Sequence, residues 1–74
     1  MKVVVTTKSG AIYRGDIHRL ENIIIGDNGK LIKGFGCNVS ITLKNTERLV
    51  RGEWRKVDSN LVTIKNIKEV ITLG

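Results

Sequence analysis

Two sets of cationic side chains are placed where they could engage an anion: Arg14, His18 and Arg19, and then Arg51, Arg55 and Lys56. They lie in matched stretches, Ile12–Glu21 and Leu49–Asp58, offset by 37 residues in a chain of 74. The ten successive pairs agree in kind: Arg14 with Arg51 and Gly15 with Gly52, then Asp16 with Glu53, His18 with Arg55, Arg19 with Lys56, Glu21 with Asp58, and apolar pairs between. An internal duplication is the simplest reading. In an extended strand, alternate side chains share a face. Arg14, Asp16 and His18 then form one outward strip, with Arg51, Glu53 and Arg55 as its counterpart and Arg19 and Lys56 adjacent. Cations displayed in this way neutralise phosphates, which supplies most of the sequence-independent affinity for nucleic acid. The competing reading is a solvated strand face crossed by Arg–carboxylate pairs worth only ~0.2–1 kcal/mol each.

Other chemistry is poorly provided for. His18 is the only histidine, and no second base or nucleophile stands at a catalytic spacing from it. Cys37 is the only cysteine, so an intrachain disulfide is impossible, and no His/Cys set has metal-ligand spacing. The expectation is a protein without catalytic residues, metal or cofactor. Gly26-Asp27-Asn28-Gly29 reads as a hairpin turn. A phosphate cradle would need a Lys-Ser/Thr ending and a following helix. Tyr13 and Trp54 interleave with the basic residues as base-stacking aromatics do, yet strand alternation puts both on the buried face. Phe35 sits between two glycines, where an exposed aromatic is expected to meet another subunit or to cap a barrel end.

Thirteen Lys/Arg against seven Asp/Glu give a net charge of +6, and each half of the chain carries +3. An even spread favours a basic face shared by both halves over a basic tail. The chain has room for a single domain, residues 1–74, whose core supplies only ~3–5 kcal/mol of net stability, so homo-oligomerisation is expected to add burial. At 41% hydrophobic residues the chain should be globular. No apolar run is long enough to span a membrane, and Met1–Val5 reads as a strand and not as a secretory signal. With its lone thiol, this makes a cytoplasmic protein the default.

The elements that must position these residues are all strands. Val3–Thr7 is β-branched, Lys8-Ser9-Gly10 is a turn, and Ala11–Leu20 returns as a strand bent or closely approached at Gly15. Asn22–Ile25 and Lys30–Lys33 form a second hairpin, and Gly34–Cys37 is the seam between repeats 1–37 and 38–74. In the second repeat Asn38–Leu43 is a strand, Lys44–Glu47 takes the place of the first turn, and Arg48–Val57 is the second bent strand, with Gly52 repeating the bend. Ser59-Asn60 turns into Leu61–Ile64, and Glu69–Leu73 closes the chain, with a helical turn expected near Asn66–Glu69. The outcome is an all-β domain of seven or eight short strands, a small β-barrel or rolled sheet whose two repeats share one core.

Val3-x-Val5 with Gly10, Gly15, Ile17 and Glu21 resembles the first signature of the Sm-like family of small barrels. Ile41-x-Leu43 with Gly52, Trp54 and Asp58 resembles it again, and Ile32-Lys33-Gly34 is similar to part of the second signature. The resemblance implies a small barrel, able to form rings, with a leaning to nucleic acid. It does not extend to the family's base-holding Asn: the matching positions are Ile24-Ile25 and Leu61-Val62. The functional expectation is therefore non-sequence-specific binding of RNA or DNA phosphates by Arg14, His18, Arg19, Arg51, Arg55 and Lys56. The alternatives are a protein-interaction module, of the kind found in phages and mobile elements, that docks an acidic partner protein, and an oligomer sequestering an anionic nucleotide at a seam near Phe35 and Arg14.

Overall fold

The computed structural model describes residues 1–25, 31–34 and 38–73, with the backbone alone for Ile25 and for 31–34. The described residues form eight strands: β1 (Lys2–Thr7), β2 (Ile12–Glu21), β3 (Ile23–Ile25), β4 (Leu31–Gly34), β5 (Ser40–Val50), β6 (Glu53–Lys56), β7 (Leu61–Lys65) and β8 (Ile67–Leu73). The all-β expectation holds. Six strands make one antiparallel sheet in the order β6-β5-β2-β1-β8, with β7 on the same edge of β5 as β6, and β3 pairs with β4. Among these residues no helix is long and apolar enough to cross a membrane.

The sheet rolls because its two ends share a core. Ile64 of β7 and Val70 of β8 pack in one cluster with Val3, Val5, Ile23, Ile41, Leu43 and Ile67, and Tyr13 and Ile17 lean on it from β2. Curvature enters through register shifts in the β2/β5 pairing, between Arg14 and Asp16 and between Ile17 and Arg19, and in the β1/β8 pairing between Thr6 and Thr7. Opposite Gly15, β5 spends one extra residue: Asn45 takes φ 51, a conformation that asparagine tolerates. A Cβ on Gly15 would sit 2.8 Å from the Lys44 carbonyl oxygen and 3.3 Å from Leu43 Cβ and Thr46 Cα. The expected bend is thus a close crossing of two strand backbones. The first hairpin closes as expected, with the Gly10 N–H donating to the Thr7 carbonyl at 3.0 Å.

The second half departs from the expected copy of the first. Lys44–Glu47 makes no turn and runs inside β5, and Arg48–Val57 is no single bent strand, because Arg51-Gly52 turns the chain between β5 and β6. Both residues have positive φ, 51 and 81, which identifies a type I′ hairpin turn. Gly52 therefore serves a different purpose from Gly15. The physical reason lies upstream. The first copy has Ser9-Gly10 to reverse the chain, whereas the second offers only Asn45, which a bulge absorbs, so the strand continues to the next glycine. No helical turn forms at Asn66–Glu69; Asn66 alone, at φ 53, redirects the chain from β7 into β8. The Gly26–Gly29 turn, Phe35 and Cys37 lie outside the described residues.

Gly15→Ala should lower the urea unfolding midpoint by the equivalent of roughly 1–3 kcal/mol, the usual penalty for forcing atoms into a packed site. Gly52→Ala has open space and meets only the left-handed backbone strain of roughly 1–2 kcal/mol. A Gly15→Ala protein as stable as the parent would contradict the close crossing.

Candidate nucleic-acid interface

Antiparallel pairing decides which charges share a face, because directly opposed residues project to the same side. Arg14 of β2 opposes Glu47 of β5, and Glu47 opposes Lys56 of β6, so these three form one row. Leu49 and Trp54 make the next pair on that face. The Arg14 guanidinium lies 4.2 Å from the Trp54 ring centroid, and its Nε donates to Glu47 Oε1 at 2.8 Å. Trp54 is half-buried and lies outside the core cluster, so its expected core position is corrected: it stacks beneath Arg14 on the outer face. A cation over an indole is worth about 0.5–1 kcal/mol at an exposed site, enough to fasten β6 to β2 across β5. Tyr13 keeps its expected place against the core.

The opposite face of the same ribbon carries a second row, in which Tyr13 opposes Arg48 and Arg48 opposes Arg55. The Arg48 guanidinium is 5.6 Å from the Tyr13 ring centroid. Arg55 reaches Glu53 at 3.5 Å with both side chains well exposed, while Arg48 has no carboxylate within ion-pair distance among the described residues. Two arginines directly across a strand pair repel one another, and an anion between them would relieve that repulsion.

Arg14, Arg51, Arg55 and Lys56 are thus gathered on and beside the β5–β6 hairpin, on two faces and at the tip. His18 and Arg19 are not. Both are exposed, but Arg19 pairs with Thr42 where Arg14 pairs with Glu47, about 17 Å away at the rise of an extended strand. Arg19 also donates to Glu21 at 3.3 Å. Near that end Met1, Ile17, Leu20, Ile23 and Ile24 line an open apolar hollow of about 460 Å³. Sequence reasoning missed Arg48. The signal lay in the turn: once residues 51 and 52 reverse the chain, counting outward sets 48 opposite 55.

Among the described residues no group of three or more His, Cys, Asp or Glu is placed to hold a metal ion. Comparison with family models, curated proteins and solved structures found no match for the chain. The geometry and charge therefore carry the functional reading.

The Arg14 hydrogen bond holds the Glu47 carboxyl below the usual carboxylate range, aided by the positive charges of Arg14 and Lys2 and opposed by partial burial. A depressed folded-state pKa means that the pair's contribution is intact above the unfolded value of 4.5 and is lost as pH falls through the lower folded value. The Trp54 fluorescence transition should therefore be centred below that unfolded value, as Arg14 loses its anchor. In Glu47→Gln this transition should be absent. A transition centred at or above the unfolded value would contradict the assignment.

Proposed function

We propose that the chain is a small, basic, non-enzymatic β protein that binds nucleic acid without sequence specificity, through phosphate contacts, and works as a cytoplasmic homo-oligomer. The observation that supports this reading best is the cationic β5–β6 hairpin. Arg48, Arg51, Arg55 and Lys56 fall within nine residues, with Arg14 docked beside them. His18 and Arg19 extend the basic surface along β2 as a secondary contact. The resemblance to Sm-like barrels points the same way, and the rolled antiparallel sheet is compatible with it.

Self-association through sheet edges draws on two features. The outer edge of β7 carries no partner strand among the described residues, and exposed Met1, Leu20 and Ile24 present apolar surface beside the hollow. The same surface supports the second reading, a module that docks an acidic protein, in which the basic hairpin would provide charge complementarity.

Gel-shift titrations on generic DNA and RNA at two salt concentrations test the proposal. Binding should weaken as salt rises, because each neutralised phosphate contributes about −0.9 to the slope of log K against log salt on duplex DNA. The double reversal Arg51→Glu with Arg55→Glu should abolish the shift at the lower salt. No shift at low salt, or a shift indifferent to the double reversal, would sink the reading. Recovery of one stoichiometric protein after nuclease treatment would favour the docking module.

A further inference from the structure

The β5–β6 hairpin outruns its support. Its last pairing with β2 is Tyr13–Arg48; beyond that, Leu49 and Val50 pair only with Trp54 and Glu53 of β6, and Arg51-Gly52 closes the end. Three residues past the last β2 pair reach about 10 Å at strand rise. The end of the sheet is therefore a narrow two-stranded ribbon, with cations facing both ways. Arg48 and Arg55 lie on one face, Lys56 lies on the other next to the Arg14–Glu47 pair, and Arg51 stands at the tip.

Arg51 occupies its position against backbone preference. Among the described residues, the non-glycine positions with positive φ are Asn22, Asn45, Asn66 and Arg51. Three are asparagine, the residue type suited to that conformation, and asparagine is also the usual first residue of a type I′ turn. Arginine holds the fourth place, exposed, with no carboxylate within ion-pair distance among the described residues. A strained backbone carrying an exposed cation at a ribbon tip is an observed outlier from which a binding role can be argued.

Resting on the nucleic-acid reading above, we infer that the ligand is duplex DNA and that the β5–β6 ribbon enters its major groove. A single strand laid on a sheet puts phosphates on one side, whereas a groove puts phosphate walls on both sides of an inserted ribbon, matching the two-faced charge. The major groove of B-form DNA is about 12 Å wide and about 8.5 Å deep and admits a two-stranded ribbon, and the ribbon's reach fits that depth. The deep, narrow major groove of duplex RNA does not admit it. Stacking on an unpaired base is disfavoured, because Arg14 already lies over the Trp54 ring and is held there by Glu47.

Fluorescence anisotropy on a short mixed-sequence DNA duplex, its component single strand and the corresponding RNA duplex, at one salt concentration, tests the inference. The DNA duplex should bind at least about tenfold more tightly than either competitor. Arg51→Asn relaxes the turn, so it should leave thermal stability unchanged or raised, yet lower the salt slope on duplex DNA by about 0.9, one phosphate contact. Equal or tighter binding of the single strand or the RNA duplex would overturn the groove assignment and leave phosphate binding standing. So would an Arg51→Asn protein that binds duplex DNA like the parent. Absence of binding to all three would remove both readings together.

Discussion

The charged face at the β5–β6 hairpin depends on how closely β2 crosses β5 at Gly15. Two strand backbones meet there at a distance that leaves no room for a Cβ, with the Lys44 carbonyl oxygen as the nearest obstacle. The crossing obliges β5 to bulge at Asn45, and the bulge resets the register so that Arg14 faces Glu47. From that register follow the stacking of Arg14 on Trp54 and the anchoring of β6. The same crossing curls the sheet, and the curl lets Ile64 and Val70 from opposite ends meet in one core. A constraint on one missing methyl group thus connects the core to the charged ribbon.

The cationic hairpin is built from competing demands. Its apolar residues are few, Leu49 on the outer face and Val50 on the other, and its cohesion comes from strand pairing and from the Arg14–Glu47–Trp54 contact. That contact ties up one arginine and one carboxylate, leaving Arg48, Arg51 and Lys56 without an ion pair among the described residues. Concentrating like charge on a narrow ribbon costs stability in the free protein. An anionic partner would return it, which is the physical argument behind the proposed phosphate binding.

Much of the first half was legible in the residues. The β-branched run at Val3–Thr7, the Ser9-Gly10 reversal and the apolar alternation through Tyr13, Gly15 and Ile17 each correspond to observed structure, because in each case local preference and burial agree. The second half was misread where a sequence match was taken as a structural one. Arg-Gly occurs twice, but Gly15 is needed for its missing side chain and Gly52 for its positive φ. The difference was set by Glu47 standing where the first copy has Gly10, with Asn45 two residues earlier a signal too weak to separate a bulge from a turn. Trp54 was misplaced for the same reason: putting the turn at residues 51 and 52 changes the face of every later residue in β6. His18 and Arg19 share a strand with Arg14, but the β5–β6 hairpin pairs beside the Arg14 end of β2, and no local pattern reveals which end that is.

The most direct measurement of the central claim is a residue-resolved chemical-shift titration of the protein with duplex DNA at low salt. The account predicts perturbations concentrated on Arg48–Lys56, including the Trp54 indole N–H, with Arg14 responding through its stack and Thr42 and the strand β7 silent. Perturbations confined to the apolar hollow around Met1, Leu20 and Ile24, or none at the β5–β6 hairpin, would contradict it.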